Sequence, residues 1–164
     1  MNRLYLLRHG IAVPHGTPDI PDDERPLTSE GEKGVRRVAR GLRRLGVKLD
    51  RIVTSPLPRA FRTAEIVADV LERTDVLETT DALHAGRGAS SIRDWVTARS
   101  ESRLMLVGHN PSLTDLVGLL ITGSQGPALC ELRKGGVAAL STNADGGMRL
   151  DWLARPRLFR RLAD

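Results

Sequence analysis

Two kinds of apolar pattern alternate along this chain. Unbroken apolar runs occur at Leu4-Tyr5-Leu6-Leu7, at Ile52-Val53 within residues 51–54, and at Leu104-Met105-Leu106-Val107. Such runs, bounded by turn residues, predict strands buried on both faces. Val76-Leu77-Glu78 is a weaker strand of the same kind. Between them, apolar residues return at helical spacing. Val35, Val38, Ala39, Leu42 and Leu45 form one stripe, with Arg36, Arg37, Arg40, Arg43 and Arg44 mostly off it. This predicts an amphipathic helix over 29–45, with Thr28 as N-cap, Glu30 and Glu32 at the positive end of its dipole, and Gly46 as the stop. A second helix is expected over 58–72 (Ala60, Ala64, Val67, Ala68, Leu71) and a short one over 91–99 (Ile92, Trp95, Val96). A nearly all-apolar helix runs from Ser112, read as its cap, to Ile121. Residues 137–141 and 148–153 predict two strands joined at Asp145-Gly146-Gly147, a hairpin signal. The basic tail, 155–164, gives no clear pattern.

Strands that alternate with helices predict a mostly parallel sheet covered on both faces, with an antiparallel strand near one edge. The expected architecture is a three-layer α/β/α sandwich in a single domain over 1–164. At 164 residues and 40% hydrophobic content, the chain can bury a core without staples. Cys130 is the single cysteine, which excludes an internal disulfide and a cysteine-based zinc site and makes a small buried hydrophobe of it. No apolar run is long enough to cross a bilayer, and the first strand begins almost at Met1, so we expect no membrane association and a cytoplasmic protein. Trp95 and Trp152 read as core.

The net charge of +5 changes the picture only in part. A basic chain suits nucleic acid, acidic proteins or phosphorylated ligands. With 3% aromatic residues there is no stacking platform, so a nucleic-acid partner is not expected. The arginine-rich helix reads first as a solvated face. Candidate chemistry lies at the strand ends, since parallel strands deliver their carboxyl ends to a common crevice. Arg8, His9 and Gly10 follow the first strand, Arg59 the second, and His109 the fourth. Gly10 suits a sharp turn that brings backbone close to a ligand. Two arginines and two histidines around one point suit a phosphate dianion, which forked guanidinium donors match. The long loop over 14–26, rich in Pro and Asp, is a candidate cover for the crevice. His15 and His84 read as surface loop residues, and Ser55 and Thr63 as caps or buttresses of a helix.

Leu-Arg-His-Gly at 7–10, Arg-Pro-Leu-Thr at 25–28, Ser-Pro-Leu-Pro-Arg-Ala-Phe-Arg-Thr at 55–63 and Gly-His-Asn-Pro at 108–111 together resemble the histidine phosphatase superfamily. More narrowly, they resemble its SixA-type phosphohistidine phosphatase branch. The resemblance implies a phosphoglycerate mutase-like fold and a hydrolase that needs no metal or other cofactor. It implies that His9 attacks phosphorus and is transiently phosphorylated, and that Arg8, Arg59 and His109 clamp the phosphoryl oxygens. Asn110 and Ser55 would help bind substrate, and water would release inorganic phosphate. The nucleophile must be neutral, which flanking cations favour; its other ring nitrogen should be held by a backbone carbonyl. His109 would serve better as a cation beside bound phosphate.

The glutamate that many superfamily members place after the third strand, to protonate an alkoxide, has no clear counterpart in Leu77-Glu78-Thr79-Thr80-Asp81-Ala82-Leu83-His84. Glu78 and Asp81 are the nearest acids. An imidazole leaving group, with a conjugate-acid pKa near ~6.5, needs little acid assistance. The expected partner is therefore a protein domain bearing phosphohistidine, involved in signal transduction, with Arg36 to Arg44 as one possible docking face. The alternatives are a broad-specificity phosphomonoesterase acting on small phosphorylated substrates, a phosphate-binding module without turnover, and a nucleic-acid binder driven by charge.

Overall fold

In the computed structural model, residues 1–163 are described, and Asp164 at the end of the basic tail lies outside them. Six strands among the described residues make one sheet: β1 (Arg3–Arg8), β2 (Arg51–Thr54), β3 (Leu77–Thr79), β4 (Arg103–Gly108), β5 (Val137–Thr142) and β6 (Met148–Ala154). Their order is β3-β2-β4-β1-β5-β6. β1 to β4 are mutually parallel, β5 runs antiparallel to β1, and β6 pairs antiparallel with β5. The expected mixed sheet is present, and β1 lies inside it because it pairs on both sides.

The apolar runs are unbroken because each strand feeds two cores. Tyr5, Leu7, Ile52, Met105, Val107 and Val137 face one helical layer, made of α1 (Ser29–Arg44), α2 (Pro58–Val70) and α5 (Pro156–Ala163). Leu4, Leu6, Val53, Leu104, Leu106 and Leu140 face the other, made of α3 (Ala89–Thr97) and α4 (Ser112–Thr122). Each fully buried leucine contributes about 1.5–3 kcal/mol of transfer free energy, and truncating Leu6 to alanine would cost about 2–5 kcal/mol.

Helix ends follow local chemistry. Thr28 Oγ1 accepts from the Gly31 N–H at 3.0 Å, as a cap should. At the other end of α1, Gly46 (φ +69°) donates to Arg43 and Val47 to Leu42, closing a Schellman turn. α2 ends two residues sooner than its apolar spacing suggests, because Glu72 (φ 57°) makes the same turn without glycine. Ser112 is not a cap: Pro111 holds the N-cap position, and the Ser112 hydroxyl donates to the Arg87 carbonyl at 2.5 Å. α3 begins two residues earlier than expected and ends two earlier.

The tail that gave no pattern is the helix α5. Its anchor is Phe159, fully buried against Gly41 of α1, where a Cβ would come within 2.8 Å of the ring. Trp95, Trp152 and Cys130 are half-buried rather than core. The Trp95 ring carries the Arg99 guanidinium at 4.8 Å, and Trp152 packs against Tyr5 and Phe159 at 6.2 Å each.

Candidate active site

The site is assembled where β1, β2 and β4 end. The His9 N–H donates to the Gly108 carbonyl at 3.0 Å, carrying the β1–β4 pairing one residue further. Gly10 is required for a different reason than expected. Its backbone is not left-handed; a Cβ there would lie 2.6 Å from Val35 Cγ2 and 3.3 Å from the Gly31 carbonyl, so glycine lets the chain pass flush against α1. The Gly10 carbonyl in turn accepts from His9 Nδ1 at 2.7 Å. With the proton placed on Nδ1 by that bond, Nε2 carries the lone pair. Thr63 is a buttress: its hydroxyl accepts from the Gly10 N–H at 3.0 Å and donates to the Arg59 carbonyl at 2.7 Å, tying the His9 loop to α2.

Arg59 stands in the first turn of α2, behind Leu57 at the N-cap and Pro58. Its side chain is 3% exposed. One terminal nitrogen donates to the Asp22 carbonyl at 2.7 Å, and the other lies 3.7 Å from the Asp22 carboxylate. His109, at the end of β4, is also buried, and its ring centroid is 5.2 Å from that of His9. His109 Nε2 meets Ser55 Oγ at 2.9 Å, and the same oxygen accepts from the Leu57 N–H at 3.3 Å. When the hydroxyl donates to Nε2, the proton of a neutral His109 is on Nδ1. Asn110 precedes a cis peptide to Pro111 and donates from Nδ2 to the Leu132 carbonyl at 3.0 Å, where Arg8 also donates at 3.1 Å.

Four buried polar atoms around this point have no hydrogen-bond partner: Arg8 Nε, Arg59 Nε, His109 Nδ1 and Asn110 Oδ1. Three are donors. Leaving buried donors unmet costs about 1–3 kcal/mol each, a cost that an anionic ligand would relieve.

Burial comes first among the causes that depress both histidines, and the neighbouring cations second. The His9 pKa is lowered to about 4 by burial, then by the charges of Arg59, Arg8 and Lys134, against the opposing effect of the Gly10 carbonyl. His109 is lowered to about 3 by burial and by His9, Arg59, His84 and Arg25. Without an anion its surroundings hold the His109 ring neutral; the expected cation belongs to the site with phosphate bound. A bound dianion would oppose those same charges. Burial also lowers the pKa of Arg8 and Arg59.

The structure adds groups that sequence reasoning left without a role. Arg25, inside Arg-Pro-Leu-Thr, donates to Asp22 Oδ1 at 2.7 Å and to the Val13 carbonyl at 2.7 Å, and its charge bears on Arg59 and His109. Its place in a matched motif was the available signal. Asp22 brings the 14–26 loop over the crevice; hydrogen bonds from His15 and Arg25 hold its pKa down at about 2. His84 is half-buried rather than a plain surface residue, and its charge is felt by His109. In the segment before β5, Leu132 is fully buried and the Gly135 N–H bonds the carbonyls of Arg8 and His9, both at 3.0 Å.

Among the described residues, neither carboxylate near β3 hydrogen-bonds to Arg8, His9, Arg59 or His109. The Glu78 carboxylate is held by Arg99 at 3.0 and 3.1 Å, and Asp81 is exposed on the surface. The later arginines of α1 lie towards the opposite edge, since α1 runs back from the crevice, and Arg36 and Arg43 pair with Asp69 and Glu72. Among the described residues, no group of three or more His, Cys, Asp or Glu is arranged to hold a metal ion, and no helix is long and apolar enough to cross a membrane.

Comparison with known proteins agrees with this geometry. An uncharacterized protein of Picosynechococcus sp. is 35% identical over 145 residues, covering 86% of each chain. Phosphohistidine phosphatase SixA of Escherichia coli is 24% identical over 157 residues, 94% of each chain. A solved structure of the protein histidine phosphatase SixA with tungstate superposes with a TM-score of 0.83 at 24% identity, over 95% of this chain and 98% of that one. It shares the fold. The family model for the histidine phosphatase superfamily (branch 1) matches residues 4–85, which take in the Arg8-His9-Gly10 turn, the Arg25 loop and Arg59. With its fold and its similarity to SixA, the chain belongs to the histidine phosphatase superfamily.

Proposed function

We propose that this protein hydrolyses phosphohistidine on a protein substrate through a phosphoenzyme on His9. One observation carries the reading: three buried nitrogens without a partner, Arg8 Nε, Arg59 Nε and His109 Nδ1, lie around a histidine whose partner bond leaves Nε2 unprotonated. A tetrahedral dianion with three peripheral oxygens satisfies that set. In the first step His9 Nε2 forms a bond to phosphorus as the substrate P–N bond breaks, and the departing imidazole keeps the electron pair and takes a proton from solvent. In the second, water attacks phosphorus, the His9–P bond breaks, and inorganic phosphate leaves. Arg8, Arg59 and His109 stabilise the charge that spreads over the equatorial oxygens. These groups supply the positive charge, so the scheme calls on no metal or other cofactor.

Ser55 acts through His109, by fixing which nitrogen bears the proton, and Asn110 positions the loop that follows β4 and borders the phosphoryl pocket. The acid nearest the clamp, Asp22, is held ionised by His15 and Arg25. Glu78 is tied to Arg99. With no acid poised to protonate an alkoxide, a nitrogen leaving group is the substrate that the site favours. The test is a side-by-side measurement of phosphate release from a phosphohistidine peptide and from a phosphate ester, with rapid-quench capture of labelled enzyme. We expect acid-labile label on His9 and faster turnover of the P–N substrate. Much faster cleavage of the ester would make the protein a phosphomonoesterase, and phosphate binding with no turnover of either would make it a binding module.

A further inference from the structure

Beside the site lies a groove that shares Arg8 with the clamp and extends away from it. Three segments meet there: the end of β1, the turn over 133–136, and the junction of β6 with α5. Their meeting is fixed by pairing, since Val137 stands opposite Leu7 on one side and Ala154 on the other. The turn is also pressed onto the junction, for a Cβ at Gly135 would lie 3.3 Å from Pro156 and one at Gly136 3.3 Å from the Ala154 carbonyl. The groove encloses about 560 Å³ and is lined by Arg8, Ile11, Arg133, Lys134, Arg155 and Arg157, with Pro156 at its floor.

Its charge is one-sided. Arg133 pairs with Glu131 at 2.8 Å, an exposed contact of small value. Lys134, Arg155 and Arg157 make no ion pair with any described residue. Lys134 lies near enough to bear on His9, so the patch is continuous with the catalytic crevice. Ile11, half exposed at the rim, adds one apolar contact. The arginines of α1 differ on both counts, being partly paired with acids and facing the other edge.

From this arrangement we propose that the groove docks an acidic segment flanking the phosphohistidine of the substrate protein. The inference rests on the reading of the site as a phosphohistidine phosphatase and adds to it the surface that selects the partner. Carboxylates of the substrate meet Lys134, Arg155 and Arg157, while the phosphorylated ring enters beside Arg8. Docking of this kind acts on encounter and on KM, and weakens with salt.

The experiment uses two synthetic peptides of equal length, each with one central histidine phosphorylated by phosphoramidate, one flanked by glutamates and the other by serines. Wild-type protein is compared with the double variant Arg155→Glu, Arg157→Glu. At low salt we expect kcat/KM for the glutamate peptide to exceed that for the serine peptide by about tenfold or more, with the preference collapsing at high salt. In the double variant the preference should vanish or reverse, while the serine peptide and free phosphohistidine turn over as before. Equal rates for both peptides in the wild type would overturn the proposal. So would a glutamate preference that the variant keeps, or tight binding of a short DNA duplex without any such preference. If neither peptide is cleaved while a phosphate ester is, the phosphohistidine reading itself fails, a result distinct from cleavage without discrimination.

Discussion

At the amino-terminal end of the sheet, Arg99 lays its guanidinium against Glu78 at 3.0 and 3.1 Å and against Glu101 at 2.6 Å, and Arg103 holds Asp50 at 2.6 Å. At the carboxyl-terminal end, Arg59 is more deeply buried, yet its strongest contact is a backbone carbonyl, and its Nε and that of Arg8 meet nothing. The same residue type serves two purposes. Where acids surround it, arginine closes an edge and asks for no ligand. Where it is buried with only one distant carboxylate, as Arg59 is with Asp22 at 3.7 Å, it costs stability, and the fully buried Leu7, Thr54 and Val107 hold the strand ends in place. A buried cation that is only partly compensated, beside a neutral histidine, is the mark of a site for an anion.

The sharpest way to break this contrast is to remove the nucleophile. His9→Ala should lower phosphate release by at least ~10⁴ and abolish the labelled intermediate, as loss of a covalent nucleophile does elsewhere. The fold should survive, since the His9 ring supports no other residue than through Gly10. Retention of most activity would remove His9 from the chemistry. Next in size, Arg59→Ala should cost about 10²–10³ in kcat, the loss expected for one oxyanion donor. Arg59→Met, which fills the same space without charge, should be as inactive but little less stable, because replacing a buried charge whose nearest carboxylate lies 3.7 Å away by an apolar group is often neutral. A large loss of stability in Arg59→Met would mean that Arg59 is structural, like Arg99.

Acid should act on the two ends in different pH windows. An unfolded histidine titrates near 6.5, whereas His9 and His109 are held at about 4 and about 3. Between those values the unfolded chain binds more protons than the folded one, so stability falls as the pH drops from 6.5 towards 4, and no such loss exists at neutral pH. For His9 alone the shift amounts to about 3 kcal/mol at the foot of that window. The carboxylates of Asp50 and Glu101, held below their ordinary values by Arg103 and Arg99, lose their contribution only at lower pH. Urea midpoints at pH 7, 5.5 and 4.5 should show the slope in the wild type and a flatter one in a His9→Gln, His109→Gln double variant. Saturating inorganic phosphate should flatten it as well, because a bound dianion favours protonated His109. An unchanged slope in the double variant would show that the histidines are not held neutral.

How much of this could be read from the chain depends on whether a residue acts through its neighbours in sequence or in space. Arg8, His9, Arg59 and His109 announce themselves because each follows an apolar run that is buried on both faces, and parallel strands bring such ends together. The mostly parallel sheet and the two helical layers follow from the same runs, but the strand order does not. Other features were hidden. α5 is held by one aromatic side chain, Phe159, whose partner Gly41 is visible as a cavity only once α1 is built. The segment around Leu132 has no periodicity, and its part in the site is played by a backbone carbonyl that receives Arg8 and Asn110. Asp22 was legible as part of a loop but not as the group facing Arg59, since loop closure depends on the Ala12–Leu27 bridge. The ion pairs of the α1 arginines with Asp69 and Glu72 were hidden too: amphipathic spacing shows which face is wet, not what stands opposite it.

The smallest expected effect tests the paired end of the contrast. Arg99 is 20% exposed, bonds two carboxylates and stacks on Trp95. Arg99→Ala removes all three contacts and leaves Glu78 and Glu101 with only Arg51, at 3.8 Å from each. Charge-assisted bonds at such a half-buried edge are worth about 1.5–3 kcal/mol in the interior and less where solvent screens them. A loss of about 1–2 kcal/mol is therefore expected, read as a lower urea midpoint with unchanged slope. The kcat should not move, because nothing at this end contacts the crevice. If Arg99→Ala slowed turnover tenfold while barely changing the midpoint, the two arginine populations would not be separable, and the unmet donors around His9 would lose their standing as a site set apart from the structural ion pairs.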